Sequence, residues 1–325
     1  MMADRTQLDW IHRLAAYVSW ALAGAIFLTV GWLALEPVDP RGPVSLMAGR
    51  GAVLMLAQAA ALAAVAAALA TILVGSRLPD VGVFATAIGL TAVSLRGHTM
   101  ESLLLGNLDP PAGGSGGLAW RLILESLGWF VIALVAVLVS GFVQSWLSHT
   151  RRPSSDDASS DQGSDAALAL ADVPIVGNRV FGIEEQAQTP FMVGIKHTAI
   201  ATVAGLIAFR LFSSGLYDRN IQHGQSCFVV AAALGLGSYF AYRFAPVRSA
   251  AWDLLACGLL TIIGFIIAGV SLSRPSAAAL PPNIPVSHFL RVLPIQYIAV
   301  GSATAVAMYW YLGMGGSYRD QEGSS

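Results

Sequence analysis

The chain has 325 residues, of which 55% are hydrophobic and only 11% are charged. A soluble domain carries about 25% charged residues, so this chain lacks the charges to cover a soluble protein of its size. Its formal net charge of -1 argues against a nucleic-acid partner, which normally needs a basic face. We therefore predict an all-α integral membrane protein whose partner is the lipid bilayer.

The first apolar run extends from about Leu14 to Leu35. It is longer than the roughly 7–15 residues of a signal-peptide core, and no cleavage site of small residues clearly follows it. Pro37 and Pro40 come directly after it and cannot continue a helix. The run predicts a retained first membrane helix over residues 11–35.

Further apolar segments follow, separated by Pro, Gly and charged residues. A membrane-spanning helix needs about 20 mostly apolar residues, and the third and sixth segments are at the lower limit of this length. The glycine run 113–117 predicts a flexible loop before the fourth segment. Together with the first helix, the pattern predicts about eight transmembrane helices, the later ones at 51–74, 79–96, 119–146, 191–212, 226–243, 250–272 and 289–312.

A polar stretch separates the fourth and fifth segments. Residues 150–190 begin with a Ser- and Asp-rich run, RRPSSDDASSDQGSD, which cannot bury enough apolar surface to fold. We predict a disordered acidic linker there. It divides the chain into an N-terminal membrane half, 1–149, and a C-terminal half, 191–325, with four helices each.

The two halves have similar helix spacing. A shift of about 175 positions superimposes their apolar segments, and each half has a Pro-Pro pair that precedes an Arg at the start of an apolar run, Pro110-Pro111 with Arg121 and Pro281-Pro282 with Arg291. Both an internal duplication and chance matching of apolar segments explain this. A duplication with four helices per half would be a parallel repeat.

The distribution of basic residues gives the expected orientation. Ten of the 18 Lys and Arg residues fall on the side of the N-terminus, and the positive-inside rule then favours N- and C-termini in the cytoplasm. The near absence of lysine and the abundance of Ala and Gly are typical of a GC-rich bacterial genome. We expect the bacterial cytoplasmic (inner) membrane as the location.

Five polar residues form the predicted binding site. Arg121 and Glu125 lie one turn apart at the start of the fourth segment and share a helix face, while Arg96, His98 and Glu101 close the third segment. If the chain folds back between these segments, the five side chains gather at one membrane face, where charged groups point to function. The alternatives are a structural Arg121–Glu125 pair and an ordinary interfacial loop.

Other polar residues have structural interpretations. Lys196-His197 opens the fifth helix and matches a cytoplasmic anchor, and Asp253 begins the seventh, where a carboxylate favours the helix dipole. The six histidines lie near segment ends, and none shares a helix with another at ligand spacing. Since Cys-x-x-Cys and His-Glu-x-x-His patterns are also lacking, we predict no cofactor, no metal and no catalytic residue.

Three functional hypotheses follow. The 4+4 arrangement and the few intramembrane polar residues suggest a transporter or permease for a small solute. Small residues at four-residue spacing, such as Ala60, Ala64 and Ala68, let helices pack closely and also suit a non-enzymatic scaffold or a subunit of a larger complex, as a homo- or hetero-oligomer. The third hypothesis, an intramembrane enzyme that acts on lipid, depends on His98, Glu101 and Arg121 alone.

Overall fold

A computed structural model describes residues 10–39, 42–46, 51–75, 78, 80–107, 114–150, 191–214, 222–272 and 287–313. Throughout these ranges the ordered elements are helices, and they contain no strand. The predicted acidic linker lies outside the described residues, apart from Thr150 at the end of a helix, so its disorder stays a prediction.

Among the described residues, the N-terminal half has five helices. The first, α1, runs over Trp10–Ile26 and continues through a π-helical turn, Phe27–Gly31, into Trp32–Leu35. The others are α2 (Ala52–Val74), α3 (Val81–Arg96), a short α4 (Met100–Asn107) and a long α5 (Gly114–Thr150).

The described part of the C-terminal half has four α-helices. They are α6 (Phe191–Ser213), α7 (His223–Phe244), α8 (Ala251–Leu272) and α9 (Pro294–Met308). A 3-10 turn, His288–Arg291, precedes α9, and a π-helical turn, Tyr309–Gly313, follows it directly.

A helix forms in each of the eight predicted membrane segments, and six of these helices are long and apolar enough to cross a membrane. The six are α1, α2, α5, α6, α7 and α8. Helix α3 is apolar but has only 16 residues, and α9 has 15 before its π-helical turn. The fold therefore indicates a helical, multi-pass membrane protein.

Three details of the sequence prediction are wrong. The glycines from Gly114 onward form the first turn of α5 instead of a flexible loop, since the N–H groups of a first turn have no helical partner to lose and the buried Leu118 and Leu122 anchor the helix. The last helix begins at Pro294, not at residue 289, because proline suits the first helical position. The sequence does not predict the short helix α4. It is a separate helix because Gly97, in extended conformation, ends α3 before it.

The distribution of side-chain sizes fits a lipid environment. Large apolar side chains cover the outside, where Leu33 is 77% and Val53 is 81% exposed, while alanines such as Ala59 and Ala63 are fully buried. Water would not tolerate so much apolar surface. In lipid, by contrast, helices associate through small residues that allow close packing.

Contacts between the halves are reciprocal. Helix α3, the third main helix of its half, packs on α9, the fourth of the other half; α8 packs on α5 in the same way, and α5 and α9 pack on each other. A cavity of about 10 Å³ where α3, α5 and α9 meet is lined by Thr86, Ser302 and small apolar residues. That is about the least volume that holds one water, so this junction is packed too tightly for a solute.

Candidate functional site

The bundle has two ends that carry different polar contacts. We call the end at which α5 finishes and α6 begins the linker face, and the other end the opposite face. His197 near the start of α6 contacts Ala245 just after α7, so these segments share the linker face. His223 at the start of α7 contacts Gly97 just after α3, so these share the opposite face.

Four of the five predicted site residues are exposed at the opposite face. Arg96 lies over the Trp32 ring at 4.5 Å and donates a 2.6 Å hydrogen bond to the Leu28 carbonyl, so it binds α1. His98 donates its backbone N–H to Gly42. Glu101 lies in the first turn of α4 and Arg121 in the early part of α5, both with exposed side chains.

Glu125 is the one deeply buried member of that set, with 3% of its surface exposed. Its carboxylate accepts hydrogen bonds from the Ser45 hydroxyl (2.6 Å), the Leu46 backbone N–H (3.2 Å) and the Trp129 indole N–H (3.1 Å). Glu125 thus holds the buried segment 42–46 against α5, and the same segment accepts the His98 N–H. The loop brings His98 and Glu125 to one neighbourhood, whereas Arg96 faces α1.

A second buried polar cluster lies near the linker face, in the C-terminal half. The His197 imidazole of α6 and the Asp253 carboxylate of α8 are joined by a 3.0 Å contact between Nε2 and Oδ1, and both side chains are completely buried. The Ser238 hydroxyl of α7 donates to the same Oδ1 at 2.6 Å. Three helices therefore meet at one carboxylate.

The hydrogen bonds define the protons of this cluster. His197 Nδ1 lies 2.8 Å from the Ala245 carbonyl, which can only accept, so Nδ1 carries a proton. Two acceptor atoms cannot share a 3.0 Å contact without a proton, so His197 Nε2 and Asp253 Oδ1 hold one between them. The pair is neutral overall, as an ion pair or as two neutral groups, which lowers the cost of burying it.

One side of the cluster is incompletely satisfied. Asp253 Oδ2 and the Tyr242 hydroxyl are both buried and have no hydrogen-bond partner in the described part of the chain. The Tyr242 ring packs edge-on against the His197 imidazole, with 4.7 Å between the ring centroids. Buried polar groups are nearly always hydrogen-bonded, and the Tyr242 hydroxyl is close enough to the Asp253 carboxylate to interact with it, so a small shift of either side chain would pair these two atoms with each other.

Close helix packing positions the cluster. A Cβ atom at Gly237 would lie 2.5 Å from the Ala201 carbonyl, so only glycine lets α7 approach α6 this closely. Thr198 donates to the Trp252 carbonyl at 3.0 Å and ties α6 to α8. These contacts place Ser238, next to Gly237, beside the His197–Asp253 pair.

The sequence predicts separate structural roles for His197 and Asp253 and does not indicate that they pair. Each lies near a helix start, 56 positions apart in sequence. The topology could have indicated this pairing. Two helices that are separated by a single crossing begin at the same membrane face, so the starts of α6 and α8 can lie close together. In the described residues, no group of three or more His, Cys, Asp or Glu side chains could hold a metal ion.

A polar bridge connects the halves at the opposite face. His223 Nε2 lies 2.8 Å from the Gly97 carbonyl, and its Nδ1 lies 2.8 Å from the Gln296 amide nitrogen. The carbonyl only accepts and the amide nitrogen only donates, so His223 is neutral with its proton on Nε2. This bridge ties α7 and α9 to the end of α3.

Comparison with known proteins finds no matching family model, and neither a curated protein nor a solved structure matches the chain.

Proposed function

We propose that this protein transports a small solute across the membrane and that transport is linked to proton binding at His197 and Asp253. The buried cluster of His197, Asp253 and Ser238 carries the proposal. Ionisable residues inside membrane segments are costly, and in transporters they relay protons or bind substrate. Here the two groups share one proton and lie on different helices, so loss of that proton would leave a buried charge that favours helix movement.

The incomplete hydrogen bonding supports a dynamic role over a purely structural one. A structural pair is favoured when all its polar atoms are satisfied, yet Asp253 Oδ2 and the Tyr242 hydroxyl are not. The Tyr242 hydroxyl and the Asp253 carboxylate already interact, so a shift of either side chain, or a small group that enters between them, would complete these hydrogen bonds.

The proposal includes a topology of eight crossings in two four-helix halves, related as a parallel repeat. The reciprocal packing of α3 on α9 and of α8 on α5 supports it, because a two-fold axis along the membrane normal exchanges these two pairs. An even number of crossings places both termini on one side. The distribution of basic residues favours the cytoplasmic side of a bacterial inner membrane.

Proteoliposomes test the function. The purified chain is reconstituted with a pH-sensitive dye inside, and amino acids, sugars, organic anions and organic cations are added outside in turn. We expect at least one class to change the internal pH. Asp253→Asn keeps the side-chain size but removes the titratable group, so it should reduce the pH change at least about tenfold.

Two other carboxylates provide the comparison. Glu101→Gln changes an exposed carboxylate and should transport like the wild type. Glu125→Gln tests the site predicted in the N-terminal half: loss of transport in this variant alone would move the substrate site there. Equal transport by wild type and Asp253→Asn, both folded, would refute proton linkage at the cluster, and no response to any class would count against transport itself.

A scaffold or complex subunit is the second candidate, and the tight helix packing favours it. Besides Gly237, Gly82 of α3 lies so close to Ala67 of α2 that a Cβ there would be 2.6 Å from the Ala67 carbonyl. Purification in mild detergent from native membranes separates the candidates. A stable stoichiometric complex supports the scaffold, and recovery as a lone monomer counts against it.

A further inference from the structure

We infer that the opposite face carries a binding site for a phosphate group with a net negative charge, formed by Arg210, His288 and Arg291. We call these three residues the basic patch; they lie where the end of α6 meets the 3-10 turn before α9. Both anionic lipid headgroups and free phosphate contain such a group. The inference does not depend on the proposed transport, because the patch lies at the other end of the bundle from the His197–Asp253 pair.

Aromatic packing fixes the end of α6 against the 3-10 turn. The rings of Phe209 and Phe289 are stacked, with 4.9 Å between their centroids and 12° between their planes, and both side chains are buried. Arg210 follows Phe209 in the sequence, and His288 precedes Phe289. The stacked rings therefore bring the backbones of the two basic residues close together.

Hydrogen bonding and helix geometry add Arg291 to this neighbourhood. His288 Nδ1 lies 3.1 Å from the Ser213 carbonyl, which only accepts, so His288 donates to the last residue of α6. Arg210 lies three residues before Ser213, in the last turn of α6. Side chains three residues apart in a 3-10 turn eclipse each other, so Arg291 lies on the same side of the turn as His288.

The elements that form the patch supply no carboxylate to balance it. Helices α6, α7 and α9 and the 3-10 turn contain no Asp or Glu. Helices α8 and α4 also contact the turn; α8 has its only carboxylate, Asp253, at the linker face, and α4 has Glu101, exposed in its first turn. Burial lowers the pKa of His288, and the charges of Arg210 and Arg291 lower it further. The patch thus has an excess of positive charge.

A cation at the end of a helix also has a structural explanation, since it complements the negative end of the helix dipole. Arg210 fits this explanation, because it lies in the last turn of α6. Arg291 does not, because it lies beside the start of α7, where its carbonyl accepts from the Ser226 hydroxyl at 3.4 Å and the helix dipole is positive. A cation beside a positive helix end favours an anion as their common partner.

A phosphate group matches the donors of the patch. Guanidinium groups bind phosphate oxygens through paired N–H donors. Arg210 is exposed, while His288 and Arg291 are half-buried, so the patch is open to a ligand at the membrane surface and partly shielded from water, which strengthens charge pairing. Arginine side chains at the ends of membrane helices extend to the level of the lipid headgroups.

Lipid and phosphate titrations test the site. The full chain is stripped of lipid in a neutral detergent and titrated with phosphatidylglycerol, phosphatidylcholine or inorganic phosphate at constant ionic strength. Native mass spectrometry counts bound lipid, and the unfolding midpoint, which a ligand of the folded state raises, gives the affinity. Arg210→Gln should weaken binding of phosphatidylglycerol at least about tenfold through loss of a charge-assisted hydrogen bond. Phosphatidylcholine, which has no net charge, should bind more weakly by a similar factor.

Arg243→Gln is the matched control. Arg243 is exposed in the last turn of α7, as Arg210 is in the last turn of α6, but it lies at the linker face. This variant should bind phosphatidylglycerol like the wild type. Arg291→Gln should weaken binding as Arg210→Gln does; if it does not fold, Arg210→Gln alone decides.

The three probes distinguish the sources of the phosphate group. Binding of phosphatidylglycerol alone supports a lipid headgroup, binding of inorganic phosphate alone supports free phosphate, and binding of both supports a site that accepts either. Equal binding by the wild type and folded Arg210→Gln would overturn the site, as would an equal loss in Arg243→Gln, equal affinity for phosphatidylcholine or no binding of any probe.

Discussion

At the residue scale, the protein buries two carboxylates that differ in how completely they are paired. Glu125 accepts three hydrogen bonds from a loop and its own helix, which suits a group that fixes structure. Asp253 has one oxygen that binds His197 and Ser238, and another, on the side of the Tyr242 hydroxyl, that makes no complete hydrogen bond in the described residues. Glu125 and Asp253 are both buried, so they differ in how completely their carboxylates are hydrogen-bonded and not in burial.

Asp80 precedes α3 and is half-buried, and Asp80→Asn should stabilise the protein at alkaline pH. The folded pKa of about 6 exceeds the ordinary value of 3.8, so the folded state binds the proton more tightly and loses stability as pH rises from about 4 to about 6. The full shift corresponds to about 3 kcal/mol, and solvent screening of the half-buried group reduces this to about 1–2 kcal/mol. Thermal unfolding in detergent should show the gain at pH 8.

The same gain should fade as pH falls and vanish below about pH 4, where the carboxyl is protonated in both the folded and the unfolded state. Glu101→Gln, which changes an exposed carboxylate, should show no such gain. A midpoint for Asp80→Asn that does not exceed the wild type at pH 8 would contradict the cost of burying this charge.

The sequence identified Glu125 as an intramembrane charge because it interrupts an apolar run. It could not identify its partners, since Ser45 and Leu46 lie about 80 positions away in a segment with no pattern of its own. His197 was interpreted as an anchor because it follows Lys196, and only the packing of α6 on α7 and α8 shows that it points inward.

At the element scale, α7 depends on small residues at defined positions. Gly237 faces α6, where an added Cβ would lie 2.5 Å from the Ala201 carbonyl and 3.1 Å from the Gly205 nitrogen. Gly235, two residues earlier on the same helix, has only the Thr304 methyl group at 3.7 Å, which is ordinary contact. Alanine substitutions at Gly237 and Gly235 therefore distinguish the effect of close helix packing from the effect of helix propensity.

Gly237→Ala should destabilise the protein by about 1–3 kcal/mol, because α6 and α7 must move apart to accommodate the methyl group. Gly235→Ala should be neutral or stabilising by up to about 1 kcal/mol, since alanine is the better helix former. Unfolding midpoints in one detergent measure both. Equal midpoints for the two variants would refute the close approach.

Helix positions were largely predictable, because lipid requires long uninterrupted apolar runs. The misplaced boundaries lie where tertiary contacts or a single residue decide the outcome. Examples are Gly114, which is part of α5 because the buried Leu118 and Leu122 later in that helix hold it in place, and Pro294, which is the first residue of α9. The π-helical turns within α1 and after α9 leave no signal in composition or period.

At the scale of the whole molecule, the halves have similar helix packing but different chemistry. The C-terminal half contains the His197–Asp253 pair, and the N-terminal half contributes Asp80 and the Glu125 loop contact. Helix spacing alone suggested the two-half plan. The polar site that the sequence predicts in the N-terminal half stays a prediction. The buried cluster in the C-terminal half depends on the three-dimensional arrangement of α6, α7 and α8.

Trypsin cleavage in the linker should leave the two halves associated. Arg151, Arg152 and Arg179 are the basic residues of this stretch, while the packing of α3 on α9 and of α5 on α8 holds the halves together. After cleavage in mild detergent, both fragments should elute as one peak in gel filtration at the volume of the uncut chain.

Gly258→Leu tests which contact holds them. A Cβ at Gly258 of α8 would lie 3.0 Å from the Phe130 ring of α5, so a larger side chain should force these helices apart and let the cleaved fragments separate. Separate elution of the wild-type fragments would contradict strong packing between the halves.

The π-helical turn in α1 also bears on how the ancestry of the two halves can be traced. Such a turn accommodates one additional residue without interrupting the helix, and each residue corresponds to about 100° of rotation. Residues after Phe27–Gly31 are therefore out of phase with those before it. An alignment of the halves at a constant offset loses register at such an insertion, so two helices of common origin would share few identities beyond it. Superposition of backbones, which tolerates a one-residue insertion, is the better test for descent from a single four-helix precursor.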